Sequence, residues 1–271
     1  MALFNSFTFD NENSLDHGIY ITGQAVYNAP ERAVDMISIP GKNGAIALDQ
    51  GRFENIEVTY PAGAFGASQE EFAAKIRAFR NILASRYSYV KLFDTYHPDE
   101  YRLGLYKSGL EVSPAAISKA GEFDITFDCK PQRFLLSGED PIGAYELLPL
   151  TDNHKEPIVT ETDEIIEVKS ARKKIQNPTM FDSKPLIKVI GYGTFAIGDS
   201  TITITGVANQ VIFIDCESME IYKKVGGVIT PASSLVSMSG ANFPVLPPGE
   251  SGLSRSSTIQ DFSIIPRWWI I

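Results

Sequence analysis

Between Asn28 and Ala62 short apolar runs alternate with turn residues, and that rhythm commits the segment to antiparallel β-structure. Ile56, Val58 and Tyr60 alternate with Asn55, Glu57 and Thr59, the period of a strand with one dry and one wet face. Pro40-Gly41-Lys42-Asn43-Gly44 and Asp49-Gln50-Gly51 combine the fixed φ of proline with the positive φ open to glycine. Both are therefore expected to be reversals. The segment reads as a hairpin-rich arm of three β-type runs, without catalytic equipment.

A helix should follow directly. Ser68 and Glu71 have capping-box spacing, and Phe72, Ile76, Phe79, Ile82 and Leu83 recur at helical intervals. The spacing predicts a helix over Gln69–Ala84 with its apolar face on the neighbouring strands. Further strands are expected at 89–93, 101–106 and 121–129. Residues 137–178, rich in Pro, Gly, Asp and Glu, read as an irregular lead-in. Beyond Pro185 the pattern is almost wholly β, with strands at 186–190, 194–197, 201–205, 211–216, 219–222 and 262–265 between short turns. The expected fold is mainly β with one helix, in the α+β class, and the second part is an antiparallel sandwich. The division is a first domain over 1–136, the lead-in over 137–178, and a sandwich over 179–271.

Composition narrows the function. A formal net charge of −9 disfavours unspecific nucleic-acid binding, which needs clustered Lys and Arg to neutralise phosphates. The one compact basic run, Arg172-Lys173-Lys174, follows Glu161, Asp163, Glu164 and Glu167, and reads as a solvated or locally paired segment. No apolar run reaches the roughly 18 residues of a membrane span, so no membrane insertion is expected. The start, Met-Ala-Leu-Phe-Asn-Ser-Phe-Thr-Phe-Asp, lacks the basic and apolar parts of a secretion signal, and folding in a cytoplasm is expected. Cys129 and Cys216 lie in strand-like runs and read as buried thiols, with no CxxC or Cys/His cluster for zinc.

Several sharper motifs lose to bland ones. Gly191-Tyr192-Gly193-Thr194-Phe195-Ala196 has a dinucleotide-loop outline, but a turn and another alternating strand follow it where a helix would be needed. His17, His97 and His154 are scattered, and Asp94, His97, Asp99 and Glu100 read as a polar loop between strands. Trp268 and Trp269 fall on opposite faces of a terminal strand, so one should enter the core. Trp269 is the candidate contact for a glycan or a partner. No catalytic, cofactor or metal site is expected.

The wording of Asn28–Ala62 and the capped helix resemble the distal tail (Dit-type) proteins of long, non-contractile-tailed phages and prophages of Gram-positive bacteria. Phe7-Thr8-Phe9 with Gly18-Ile19-Tyr20-Ile21 is similar to that family's opening. Cys129-Lys130-Pro131-Gln132-Arg133-Phe134 is similar to the close of its first domain. Asn177-Pro178-Thr179-Met180-Phe181-Asp182-Ser183-Lys184-Pro185-Leu186-Ile187, Phe243-Pro244-Val245-Leu246 and Pro266-Arg267-Trp268-Trp269 are similar to phrases of its second. The resemblance implies a structural virion protein at the tail tip, assembled in the bacterial host cytoplasm, and not an enzyme. Its first domain would form a tail-tube-like homo-hexameric ring, and its second a galectin-like sandwich outside. Its implied partners are the tail-tube protein, the tail-associated hub or lysin-type protein and, in some members, receptor-binding proteins. DNA would meet it only in transit, past an acidic channel lining, and no cofactor is implied.

A cyclic ring needs a heterologous interface, and a projecting hairpin supplies one. The candidate interface residues are Pro40, Gly41, Lys42, Asn43, Gly44, Asp49, Gly51, Arg52 and Phe53. The alternative is a carbohydrate-binding, lectin-like module for host cell-wall glycans, built on the C-terminal sandwich.

Overall fold

The computed structural model describes residues 4–22, 27–114, 119–149, 167–239 and 242–271. The chain divides into two compact units, Met1–Leu135 with Ile271, and Leu136–Ile270.

In the first unit the strands are β1 (Phe7–Phe9), β2 (Glu12–Asn13), β3 (Ile19–Ile21), β4 (Arg32–Ser38), β5 (Ala45–Phe53) and β6 (Ile56–Phe65). After helix α1 (Gln69–Ala84) come β7 (Val90–Asp94), β8 (Glu100–Leu105), β9 (Ser113–Pro114) and β10 (Ala120–Leu135). The main sheet runs β2-β1-β7-β8-β10-β6-β3, with β9 also alongside β10, and the pairings described are antiparallel. It curls on itself, because Asn5, just before β1, accepts the Ile21 N–H of β3 at 2.8 Å. Phe7 of β1 consequently stacks on Tyr60 of β6, with ring centroids 5.5 Å apart.

Inside the curl the period-two pattern is obeyed. Ile56, Val58 and Tyr60 are buried beside Phe123, Ile125 and Phe127 of β10, while Glu57, Glu122 and Asp124 face water. Helix α1 covers this core with Phe72, Ile76, Phe79 and Leu83; Ile82, at the margin of the stripe, is half-buried. Ser68 Oγ accepts the Glu71 N–H at 3.1 Å, as the capping spacing predicts. Glu71 reaches back to the Ala67 N–H at 2.8 Å, one residue before the expected partner, which satisfies a different amide at the same helix end. The phrase Cys129–Phe134 lies within β10. Two extra residues intervene there, since Cys129 pairs with Gly104 but Arg133 with Arg102. Pro131 sits in this bulge, where its missing N–H breaks no regular ladder.

One expectation of the arm needs correction. Asp49-Gln50-Gly51 is not a reversal but a bulge inside the continuous strand β5. Arg32 pairs with Phe53 and Val34 with Asp49, leaving two residues of β5 in excess. Gly51 supplies the required φ of +71°, and its N–H donates to Asp49 Oδ1 at 2.9 Å. The turn chemistry is genuine, but it is absorbed as a kink because β4 continues on the other side.

The second unit contains β11 (Ile142–Gly143), β12 (Tyr145–Pro149), β13 (Glu167–Ala171), β14 (Lys174–Asn177), β15 (Leu186–Gly191), β16 (Gly193–Ile197), β17 (Ser200–Ile204) and β18 (Val211–Asp215). They are followed by β19 (Glu220–Val225), β20 (Val228–Pro231), β21 (Val236–Met238), β22 (Gly249–Arg255), β23 (Ile259–Ile265) and β24 (Trp269–Ile270). One sheet runs β11-β23-β15-β18-β19-β20 and another β14-β22-β16-β17-β21, with β12 and β13 as a separate pair. The two larger sheets share a core; Phe195 of β16 meets Phe262 of β23 at 4.9 Å, and Ile187, Ile197, Ile202, Ile214 and Ile264 are fully enclosed.

The stretch 137–178 differs from the irregular lead-in expected. Its described residues include β11 to β14, two of which extend the sandwich sheets. Their polar composition reflects edge positions: Lys174 pairs with Glu250 at 2.8 Å, and Ile175 alone of its strand's apolar set turns inward. Glu161, Asp163, Glu164 and His154 lie outside the described residues. The Gly191–Ala196 motif forms no nucleotide loop: β16 and β17 make the expected hairpin, and the chain changes sheet at Tyr192.

The phrases that carry the second-domain resemblance meet in space. Asn177 is buried, donating to the Phe181 and Leu246 carbonyls at 2.9 and 2.8 Å and accepting from Thr179 N–H and Oγ1. Ser183 exchanges backbone bonds with Leu246, and its hydroxyl donates to the Pro266 and Arg267 carbonyls. A buried amide must be fully bonded, so these residues act as a structural knot.

Candidate oligomer interface

Among the described residues strands β4 and β5 pair only with each other, forming a two-stranded ribbon apart from the main sheet. Such a ribbon is marginal on its own in water. Here it is apolar on both faces. Register places Ile37 opposite Ile46 and Asp35 opposite Leu48 on one face, with Met36 opposite Ala47 on the other. Met36, Ile37, Ile39, Ile46 and Leu48 retain between 40% and 65% of their surface in solvent. Clustered exposed aliphatics of this kind mark an interaction surface, in contrast to isolated ones.

Polar groups stiffen the ribbon. Arg32 Nε donates to Asp49 Oδ2 at 2.7 Å, and its Nη2 bonds the same oxygen. The Arg32 hydrogen bond, then the Gly51 N–H, hold the Asp49 carboxyl below the usual carboxylate range. Gln50 donates to Asp35 at 2.8 Å, Arg52 pairs with Glu54 at 2.8 Å, and the Arg32 guanidinium lies 5.4 Å from the Phe53 ring centroid. The root is fixed by the Glu54 N–H bonding the Glu31 carbonyl at 2.8 Å.

Of the residues singled out from sequence, Pro40, Gly41, Lys42, Asn43 and Gly44 form the exposed tip, with Gly41 and Gly44 at φ +79° and +81°. Asp49 and Gly51 form the bulge, and Arg52 and Phe53 stand at the root. The apolar side chains of the ribbon itself were not among them. Their signal was present: Met36-Ile37 and Ala45-Ile46-Ala47-Leu48 are apolar on consecutive positions, which leaves a lone hairpin no wet face. Trp269 lies in the other unit. It stacks on Phe181 at 4.3 Å and donates Nε1–H to the Asp182 carbonyl at 2.9 Å, so one ring face and its only donor are engaged internally.

The polar loop after β7 is organised around Asp94, with His97 Nε2 buried and left without a hydrogen-bond partner. Asp94 Oδ1 accepts the Tyr96 and His97 N–H groups and contacts His97 Nδ1 at 3.0 Å, and Oδ2 accepts the Tyr60 hydroxyl at 2.8 Å. Among the described residues no group of three His, Cys, Asp or Glu is placed to hold a metal. Cys129 and Cys216 are free and buried, and burial pushes both thiols up to about 12.

With this geometry in view, residues 7–129 match the family described as phage tail protein RIFT-related domain. The first unit is thus similar to a phage tail protein domain. Over the whole chain the fold is similar to the Dit protein of phage SPP1, at 10% identity and TM-score 0.66, covering 98% of this chain and 99% of that one. That protein is described as a paradigm of the hub adsorption apparatus in phages infecting Gram-positive hosts. A chain of the phage P2 baseplate in its activated conformation with Ca is similar at 9% identity and TM-score 0.53, covering 97% and 98%. A chain of the Sr form gives 10% and 0.50, covering 96% and 97%. No curated protein matches by sequence. The chain thus has a fold similar to that of Dit-type phage tail and baseplate proteins, and the expectation of a mainly β fold with one helix stands.

Proposed function

We propose that the chain is a non-enzymatic structural protein of the virion, forming a hexameric ring at the tail tip that joins the tail tube to the hub and encloses the DNA channel. The observation that carries this reading is the β4–β5 ribbon, apolar on both faces and without a partner strand, on a phage tail protein domain. In a cyclic ring each copy offers such a projection to a different patch of its neighbour, which closes the assembly and covers the ribbon. Partners on the two ring faces are the tail-tube protein and the tail-associated hub protein, with receptor-binding proteins on the outer sandwich. Assembly takes place in the host cytoplasm.

Glu57, Glu122 and Asp124 share the solvent face of the β6–β10 ladder. That face suits a channel lining that repels passing phosphates. The deciding experiment is mass photometry with negative-stain microscopy of the purified protein and of a variant lacking residues 40–51. The intact chain should give sixfold rings and the variant monomers. Rings that survive the deletion would remove the ribbon from this role. Binding of cell-wall glycan abolished by Trp269→Ala, without rings, would favour the lectin-like alternative.

A further inference from the structure

Granting the ring, a heterologous contact requires a second patch on the same chain, distinct from the ribbon, to receive it. Outside the ribbon, the exposed large apolar residues described in the first unit are Phe4, Tyr27, Phe65 and Tyr87. Tyr27 packs edge-on against His97. Phe4 and Phe65 are joined by Tyr20 into a row, with Phe4–Tyr20 centroids 5.2 Å apart and Tyr20–Phe65 centroids 6.2 Å apart.

The row is built into the backbone. Tyr20 lies flat over Gly63, where a Cβ would come within 2.8 Å of its ring. Lys75 Nζ stands 5.8 Å from the Phe65 centroid, adding a cation at one end. The row occupies β3 and the far end of β6, where the main sheet stops. The ribbon enters β6 at Ile56, and the row ends that strand at Phe65. Ten residues of strand separate the two by about 30 Å. Donor and acceptor patches at opposite ends of one strand suit a head-to-tail contact, in which each copy offers its ribbon to one neighbour and its row to the other.

We infer that the Phe4–Tyr20–Phe65 row is the seat on one copy for the Ile37/Ile46/Leu48 face of the ribbon from a second copy. Aliphatic side chains cover aromatic rings without leaving a polar group unpaired. Asp35, on that same ribbon face, keeps its bond from Gln50, and Lys75 keeps its pair with Glu71, each at 2.8 Å, so covering the row strands neither charge. Half-exposed aromatics at Phe4 and Phe65 are thereby removed from water in the ring.

The test replaces Phe65 by the photo-crosslinker p-benzoylphenylalanine in the full chain. Irradiation should give a ladder of covalent oligomers up to six, with the cross-linked peptide of the second copy lying within residues 35–48. In a second variant, Phe4→Ala with Phe65→Ala should raise the concentration for half-assembly by about tenfold or more while the monomer stays folded. Cross-links from Phe65 to any other segment, or none, in rings that still need the ribbon would overturn this inference and leave the ring reading intact. A chain that never forms rings would overturn both. Glycan binding lost in the double variant, with assembly unchanged, would reassign the row to sugar.

Discussion

Two strands separated by only two residues have opposite fates. In β6 every second side chain is buried, because β10 and β3 flank it and α1 closes its inner face. In β5 only Phe53 is half-buried, because β4 is its sole neighbour. Their apolar content is comparable, so composition does not set the difference. A strand whose apolar residues share one face finds its cover within the chain. A ribbon apolar on both faces has no such cover among the described residues, and the proposed ring would supply it.

The sharpest way to break this contrast is to wound the core and spare the ribbon. Phe79→Ala removes a ring that is 2% exposed and packs against Phe7, and should cost the first unit about 3–5 kcal/mol in urea unfolding. A loss below about 1 kcal/mol would show that α1 does not close the core.

Next is a comparison of two arginine–aspartate pairs. Arg267 donates two bonds to Asp215, at 2.7 and 2.8 Å, with both side chains at most 25% exposed. Burial pushes the Asp215 carboxyl up, but the Arg267 bonds and charge, with the Ser218 and Glu217 N–H groups, outweigh it and hold it below the usual range. A depressed folded value means stabilisation that is complete above an unfolded pKa of about 3.9 and lost as pH falls through the folded one. Arg267→Ala should therefore cost about 2–3 kcal/mol near neutrality. The gap from the native chain should narrow in acid unfolding series as pH falls below the unfolded value of about 3.9. A gap independent of pH would assign the loss to packing.

Ile37→Ser with Leu48→Ser should leave the monomer's melting temperature unchanged, yet abolish rings in mass photometry. A destabilised monomer would mean that the ribbon's apolar face is used within the chain. The smallest effect is expected from Asp49→Asn. Its half-exposed pair with Arg32 should leave no measurable change in unfolding midpoint, as surface pairs generally do.

Helix α1 was legible to the residue, because the Ser68 cap and the Phe72–Leu83 stripe are local signals that tertiary packing reinforces. Six sandwich strands were legible nearly as well, but β20, β21 and β22 were not, their Gly-, Ser- and Pro-containing wording reading as turns. Asp49-Gln50-Gly51 misled, since a glycine with positive φ serves a reversal and a bulge equally, and pairing with β4 decides between them. Residues 137–178 misled for a related cause: polar, proline-rich wording suits an edge strand as well as a loop. The turns of the ribbon were legible, but its uncovered side chains were not, because Ile37, Ile46 and Leu48 look like core until nothing described covers them.

The sequence by itself determined the period-two strands, the capped helix and the phrases at Asn177, Leu246 and Trp268, each set by neighbours along the chain. Only the tertiary structure decided that those phrases knot together, that β5 kinks instead of turning, and that the β4–β5 ribbon stands uncovered. Burial depends on which distant strands arrive beside a residue, and chain-local chemistry carries no record of that.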